Sequence, residues 1–357
     1  MHITFITRSM WAGGAERVIA ELCKYLVKKK IKCNIITYDD AEVLYDLPAS
    51  VKIFPIGECS KKKYLDKIMR YKKIREKIKE LKPDVVLSMP EDIGIFVIPA
   101  LLGTKIPVIV SERNNPLVMP WKKETRLFRK IFYPLASGFV FQTKEAASFF
   151  SKKIQTKGII LKNPLDLERI PIAWEKKRKK IIVGVGRLDK QKNFPLLIKA
   201  FSKFHLENND YKLIIYGEGH LRKNLESLAS SILPKGSYHF PGRKNNILDL
   251  IKDAKMFILS SDYEGSPNVL IEAMAMGMPV ISTDCPSGGS SELIKNGING
   301  ILVPVNDHEK MAAEMKKLEE NEEFLISLSK EAYKIREMHK DYKILESWRK
   351  YLYEFKN

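Results

Sequence analysis

At 357 residues and 45 % apolar content, the chain is long enough for two domains with separate cores, and no repeat or low-complexity tract interrupts it. Its four cysteines, Cys23, Cys33, Cys59 and Cys285, are scattered without a Cys-x-x-Cys pair, which argues against a disulfide scaffold and suits a reducing compartment. The net charge of +19 is uneven: residues 1–165 hold 31 Lys and Arg against 16 Asp and Glu, and residues 166–357 hold 31 against 27, so an anionic partner is expected for the first half.

The opening MHITFITRSMWAGG holds an apolar run too short for a signal peptide, with no basic residue before it. The longest apolar stretch, IGIFVIPALLG, is about half of a bilayer span. A cytoplasmic protein without transmembrane helices is expected.

HITFITR reads as a short buried strand, followed by a helix over GGAERVIAELCKYLVKKK in which Val18, Ile19, Leu22, Tyr25 and Leu26 recur at helical spacing. KCNIITY, PDVVLSM, PVIVSE and GFVFQT are further strands, several of them continuously apolar, as in a parallel sheet covered on both faces. NPLDLERIPIAWEKKRKK reads as a linker. A second series then begins with strand KIIVGVGRL and alternates helices FPLLIKAFSKF, LRKNLESLASSI and NILDLIKDA with strands YKLIIYGEG, YHFPG, MFILSS and PVIST. Two α/β, doubly wound Rossmann-like domains are expected, over 1–165 and 166–340, with ligands outside the carboxyl ends of the strands and the site in a cleft between two facing sheets. The closing segment DYKILESWRKYLYEFKN reads as an amphipathic helix carrying Tyr342, Leu345, Trp348, Leu352 and Phe355.

The segment DYEGSPNVLIEAMAMGMPV, 262–280, places two glutamates eight residues apart, Glu264 in a loop and Glu272 among apolar residues. Ser266 suits a helix cap, Pro267 the first helical position and Gly277 the stop, giving a buried helix over roughly 267–276. Its N-terminus is suited to an anion. A carboxylate inside it needs a donor, either an internal cation or a ligand hydroxyl pair such as a ribose diol. In VGVGRLDKQKN, Gly186, Arg187 and Lys192 follow a strand, where two cations can face a diphosphate, although a solvated loop would look alike. In SMWAGGAERVIA, Gly13 and Gly14 precede a helix after the first strand, a usual place for backbone to approach phosphate. The turns YGEGHLR and HFPGRKNN add Gly217, Gly242, Arg243 and Lys244. No dinucleotide fingerprint, Walker loop, Asp-x-Asp, metal-spaced His/Cys cluster or Gly-x-Ser-x-Gly elbow is present.

In this order, Gly13-Gly14-Ala15-Glu16-Arg17, Gly186-Arg187-Leu188 with Lys192-Asn193, Gly217-Glu218-Gly219 and the Glu264-x7-Glu272 pair resemble retaining glycosyltransferases of family 4, with the GT-B fold, over essentially the whole chain. The resemblance implies a nucleotide-sugar donor, usually UDP-linked, in the second domain. Glu272 would hold the ribose, Glu264 would contact the donor sugar, and Arg187 and Lys192 would hold the diphosphate. The backbone near Asn268, Val269 and Leu270 would meet the phosphates, Gly242, Arg243 and Lys244 would flank the base, and Gly186, Gly217, Gly265, Ser266 and Pro267 would belong to the same donor site. Gly13 and Gly14 would approach the diphosphate from the first domain, and helix 341–357 would return to that domain. It further implies front-face displacement with retention, no metal or other cofactor, and no dedicated general base. Many relatives carry a histidine after the PVIVS strand. Here the loop reads Ser111-Glu112-Arg113-Asn114-Asn115, so Glu112 and Arg113 are the cleft candidates.

Residues 61–82 hold eleven basic and three acidic residues, and Tyr64, Leu65, Ile68, Tyr71, Ile74, Ile78 and Leu81 follow helical spacing. With WKKETRLFRKIFY, 121–133, they offer a surface for anionic headgroups or a lipid diphosphate, or else a helix packed on its own sheet with a solvated face. The expected activity is transfer of a hexose or N-acetylhexosamine from a UDP-sugar to a membrane-associated, lipid-linked or saccharide acceptor in surface polysaccharide synthesis, by an enzyme peripheral on the inner face of the membrane. The alternatives are a nucleotide-sugar epimerase on the same fold and a basic nucleic-acid binder, the latter without a recognisable binding motif.

Overall fold

The computed structural model describes residues 1–11, 13–172, 178–339 and 341–356; part of the expected linker, 173–177, lies outside them, as does residue 340, the expected end of the second domain. The chain divides into two compact units, Met1–Pro164 with Asp341–Asn357, and Leu165–Lys340.

The first unit runs β1 (His2–Thr7), α1 (Gly14–Lys28), β2 (Lys32–Thr37), β3 (Lys52–Pro55), α2 (Lys63–Leu81), β4 (Val85–Ser88), α3 (Glu91–Ala100), β5 (Val108–Ser111), α4 (Lys123–Phe132), β6 (Gly138–Phe141), α5 (Lys144–Ser148), α6 (Lys152–Gln155) and β7 (Gly158–Ile160). Among the described residues its strands form one parallel sheet in the order β3-β2-β1-β4-β5-β6-β7. Both faces are apolar, as the continuous hydrophobic strands require. Phe5, Ile35 and Leu87 pack under Leu22 and Leu26 of α1, while Ile6, Val86 and Val110 pack under Ile74 and Ile78 of α2 and Ile93 and Val97 of α3.

The second unit runs β8 (Lys179–Val185), α7 (Phe194–His205), β9 (Lys212–Tyr216), α8 (Arg222–Ile232), β10 (Tyr238–Gly242), α9 (Ile247–Ile251), β11 (Ala254–Leu259), α10 (Asn268–Ala275), β12 (Val280–Thr283), β13 (Ile301–Val303), α11 (His308–Glu320), α12 (Glu322–Tyr333) and α13 (Ile335–Met338). Its parallel sheet has the order β10-β9-β8-β11-β12-β13. In each sheet the strand order reverses once, between β1 and β4 and between β8 and β11, and such a switch point opens a crevice at the carboxyl ends of the strands.

The last helix, α14 (Asp341–Tyr353), belongs to the first unit. Trp348, fully buried, donates from Nε1 to the Lys162 carbonyl at 3.1 Å. The Tyr351 hydroxyl donates to the Lys157 carbonyl at 2.8 Å and accepts from the Phe139 N–H at 3.0 Å. Gly138 makes room for it, since a Cβ there would lie 2.6 Å from that hydroxyl. Loss of a buried Trp of this kind costs about 3–5 kcal/mol.

The stripe on α2 splits in two. Ile74 and Ile78 are fully buried, but Tyr64, Leu65, Ile68 and Met69 are exposed, Tyr64 at 77 %. On α4 and its flanks, Trp121, Leu127, Phe128, Ile131 and Leu135 are exposed as well. Two structures thus coexist in one sequence period: a helix packed on its sheet at its C-terminal end, and an uncovered apolar-cationic face at its N-terminal end.

Candidate functional site

At the switch point of the second unit, the turn after β8 meets the turns after β9 and β11. Gly217 has φ +143°, and a Cβ there would sit 1.8 Å from the Gly186 carbonyl oxygen, so the two turns cross backbone to backbone where no larger residue fits. The Gly186 N–H donates to the Tyr216 carbonyl at 3.0 Å and the Leu188 N–H to the Glu218 carbonyl at 2.9 Å. The Gly217 N–H donates to Gly242 at 3.1 Å, which ties the β10 turn to the same corner. Arg243 and Lys244, on that turn, are exposed.

The cations after β8 are both held. Arg187, with 65 % of its side chain exposed, donates from Nε to Asp189 Oδ2 and from Nη2 to Gln191 Oε1, each at 3.0 Å. Lys192 Nζ donates to Glu264 Oε1 at 2.6 Å, an ion pair with only 13 % and 8 % of its side chains exposed. Ser261 Oγ donates to the same Oε1 at 2.7 Å. Both anchors therefore fall on one carboxylate oxygen, and the other, Oε2, accepts no hydrogen bond among the described residues. The loops are sewn together by further bonds. Gln191 Nε2 donates to the Tyr263 carbonyl at 3.0 Å, Ser260 Oγ to the Lys192 carbonyl at 2.8 Å, and Asn193 Nδ2 to Asp262 Oδ1 at 2.6 Å. Asn193 is left-handed (φ 42°) and caps α7 through its Oδ1, accepting from the Leu196 N–H at 3.3 Å.

Glu264 leads into α10, which starts one residue later than its sequence predicts. Pro267 has ψ 100° and is itself the N-cap, one residue after Ser266, and its carbonyl accepts from Leu270 and Ile271 at 3.0 and 3.2 Å. Proline fixes φ but leaves ψ free, and an extended ψ moves the first helical residue to Asn268. The helix ends at Met276 with Gly277 at φ +65°, whose N–H donates to Met274 at 2.8 Å while Met278 N–H donates to Ala273 at 3.0 Å. Glu272 is 3 % exposed between fully buried Ile271 and Ala273. A Cβ on Gly289 would lie 2.5 Å from the Gly265 carbonyl oxygen, so the loop after β12 supports this turn from behind.

In the first unit, Gly13 is the N-cap of α1 and Gly14 its first residue. Gly13 has φ −174°, extended backbone open to any residue; its N–H and carbonyl exchange bonds with the Tyr45 hydroxyl at 3.1 and 2.8 Å. Beside this helix end, at the carboxyl edge of β4 to β7, is a polar cluster. Arg113 Nη2 donates to Asn163 Oδ1 at 2.6 Å, and Gln142 Nε2 donates to the same oxygen at 3.0 Å. Glu91 Oε2 accepts from the Arg113 N–H at 3.1 Å, and Glu112 Oε1 accepts from the Tyr133 hydroxyl. Burial, with the charge of Glu112 added, pushes the Glu91 carboxyl up to about 8, and burial pushes Glu112 to about 7 against the opposing Arg129. Burial pulls Arg113 down to about 10, opposed by Glu91 and Glu16. An Arg8–Asp92 ion pair spans the switch point here, as Lys192–Glu264 does in the second unit.

Most of the residues named from sequence in the second unit thus lie at turns of one sheet edge, with Lys192 and Glu264 in direct contact, while Asn268, Val269, Leu270 and Glu272 lie within α10. Gln191, Ser261, Glu91, Gln142 and Asn163 were not among them. A lone Gln or Ser in a polar loop carries no pattern, and Glu91 opens a helix so apolar that its carboxylate reads as an ordinary first-turn acid.

Two family descriptions together match residues 12–335: Glycosyltransferase Family 4 over residues 12–169 and Glycosyl transferases group 1 over residues 168–335. A Campylobacter jejuni protein named "GalNAc-alpha-(1->4)-GalNAc-alpha-(1->3)-diNAcBac-PP-undecaprenol alpha-1,4-N-acetyl-D-galactosaminyltransferase" is 30 % identical over 368 residues, covering 100 % of this chain and 99 % of its own. A second C. jejuni protein, an N-acetylgalactosamine-N,N'-diacetylbacillosaminyl-diphospho-undecaprenol 4-alpha-N-acetylgalactosaminyltransferase, is 30 % identical over 88 % of this chain and 89 % of its own. Among solved structures, Anabaena HepE in complex with UDP and glucose matches with a TM-score of 0.84 at 16 % identity, covering 98 % of both chains. Sucrose-phosphate synthase from Thermosynechococcus elongatus matches at 0.84 and 16 %, covering 99 % and 98 %. These structural likenesses establish the fold, GT-B, and the sequence matches establish the rest: the chain belongs to the family 4, group 1 glycosyltransferases.

Proposed function

We propose that the protein transfers a hexose or N-acetylhexosamine, with retention, from a UDP-sugar to a lipid-linked saccharide at the cytoplasmic face of a membrane, in the synthesis of a surface glycan. The observation that carries this reading is the asymmetric anchoring of Glu264. Lys192 and Ser261 fix Oε1, and Oε2 is left to accept a hydroxyl from a sugar on the turn before α10. The N-terminus of α10 carries the positive end of the helix dipole and suits the diphosphate. Arg187 and Lys192 supply the cations that take up charge as the C1–oxygen bond to the diphosphate breaks. Glu272 holds the ribose, and Arg243 and Lys244 flank the base. Gly13 and Gly14 are assigned to the donor diphosphate, and Glu112 and Arg113 to the acceptor. The acceptor oxygen forms its bond to C1 on the same face, and its proton passes to the departing phosphate oxygen.

The acceptor class is supported by the undecaprenol-linked substrates in the names of both C. jejuni relatives. The membrane surface is supported by charge and exposure together. Lys67, Phe96, Lys122, Glu124, Thr125 and Phe128 line a groove of about 460 Å³, flanked by the uncovered apolar residues of α2 and α4. Cations interleaved with exposed apolar side chains suit an anionic headgroup layer. Among the described residues, no helix is long and apolar enough to cross a membrane.

The test is a screen of UDP-hexoses and UDP-N-acetylhexosamines for UDP release, with and without a polyprenyl-diphosphate-linked oligosaccharide. Acceptor-dependent release from one donor, with an α-linked product by NMR, is expected. Conversion of a UDP-sugar without acceptor would instead identify an epimerase.

A further inference from the structure

Arg187 and Glu264 sit on different turns, after β8 and after β11, yet one carboxamide bonds Arg187 and the residue before Glu264. Gln191, 7 % exposed, accepts from Arg187 Nη2 at 3.0 Å through Oε1 and donates to the Tyr263 carbonyl at 3.0 Å through Nε2. Its own carbonyl accepts from the Asp262 N–H at 2.8 Å. The next residue is Lys192, whose carbonyl is held by Ser260 and whose ammonium reaches Glu264. Arg187 is mostly solvated, and held by Asp189 alone it would sample more rotamers, at an entropic cost each time it orders on a ligand.

We propose that Gln191 is a positioning residue for the transfer: it fixes the Arg187 guanidinium to the Tyr263–Glu264 turn, so that both cations and the donor-facing carboxylate form one unit before the donor arrives. A carboxamide suits this, because one end must accept and the other must donate. A preset cation spends less binding free energy on ordering and more on the charge that develops on the leaving diphosphate. The inference rests on the reading of Arg187 as a diphosphate contact.

Free UDP carries the charge that the leaving group acquires, so its affinity reports Arg187, while uridine lacks the diphosphate. The experiment titrates UDP and uridine against the wild type, Gln191→Met, Gln191→Glu, Arg187→Ala and the Gln191→Met/Arg187→Ala double variant, with thermal unfolding as a check of folding. Arg187→Ala and Gln191→Met are each expected to weaken UDP binding roughly tenfold and leave uridine binding unchanged. The double variant should bind UDP no worse than Arg187→Ala alone, because Gln191 acts through Arg187. Gln191→Glu, which keeps an acceptor for Nη2 but loses the donor to the Tyr263 carbonyl, should lose UDP affinity as Gln191→Met does. Losses that multiply in the double variant, equal losses for UDP and uridine, or wild-type UDP affinity in Gln191→Glu would each overturn the positioning role alone. Unchanged UDP affinity in Arg187→Ala, or no UDP binding by the wild type, would remove the reading beneath it and the inference with it.

Discussion

The ammonium of Lys192 and the carboxylate of Glu264, 72 residues apart in sequence, meet at 2.6 Å across the switch point of the second sheet, and the pair is nearly buried. Taking both charges out of water is costly, and the pair is tolerable because Ser261 adds a second donor to the same oxygen. Removing one partner leaves the other charge uncompensated. Lys192→Met and Glu264→Gln are each expected to destabilise the protein by about 3 kcal/mol, and the double variant by clearly less than the sum. Urea unfolding of the four proteins checks this. Additive losses would mean that the pair contributes no coupling.

Glu272 is expected to fail differently from Arg187. Glu272 lies inside α10 and is 3 % exposed, and the proposed ribose diol would offer it two hydroxyl donors. Glu272→Ala should raise the KM for the donor about tenfold or more with a small change in kcat, as a lost ground-state contact does. Arg187→Ala should lower kcat by about 100-fold, the loss typical of a group that meets charge only as it develops. Steady-state kinetics with the donor found by the screen separates the two. Near-normal turnover in Arg187→Ala removes it from the leaving-group role.

The acid cluster of the first unit makes stability depend on pH with a definite sign. Glu91 rises from an ordinary 4.5 to about 8, and Glu112 to about 7, both chiefly through burial. In the unfolded chain both ionise near 4.5, while the folded protein keeps their protons longer. Their contribution is therefore complete below pH 4.5 and is lost as pH rises through 7 and 8. The urea midpoint should fall from pH 5 towards pH 8.5, and Glu91→Gln should flatten that slope and stabilise the protein at its alkaline end by at least ~1 kcal/mol. An unchanged slope in Glu91→Gln would assign the pH dependence elsewhere.

The uncovered face of α2 and α4 predicts binding to anionic liposomes at moderate salt. Lys122→Ala with Lys130→Ala should weaken the partition roughly 30-fold, at ~1 kcal/mol per cation near an anionic surface. Leu127→Ser should weaken it without changing its salt dependence, because it removes apolar contact alone. Co-sedimentation across a salt series measures both. Failure of the wild type to sediment would leave the face to another use.

Much of this was legible in the sequence for a simple reason. A parallel sheet buried on both faces needs continuous apolar strands, so the runs PDVVLSM and GFVFQT read directly. The glycines at 217 and 277 were legible as turns because the backbone there takes a positive φ. What was hidden depends on neighbours. Helical spacing could not say that α2 packs Ile74 and Ile78 but leaves Tyr64 and Ile68 uncovered, since that depends on where α3 lies. Residues 246–254 read as one helix over NILDLIKDA, yet α9 covers only Ile247–Ile251, and Ala254 already belongs to β11. Gln191 and Ser261 were invisible because their partners come from a turn about 70 residues away or from a carboxylate whose anchoring only three dimensions reveal.

The return of α14 to the first unit has a consequence for biosynthesis. As the chain leaves the ribosome, residues 1–164 emerge first, but the place of Trp348 in their core stays empty until the whole of the second unit has been made. The second unit is one uninterrupted stretch and can close its core as soon as it is out. Translation order and completion order are therefore opposite: the half made first is sealed last, and a ribosome stalled before α14 would leave an open hydrophobic face for chaperones to guard.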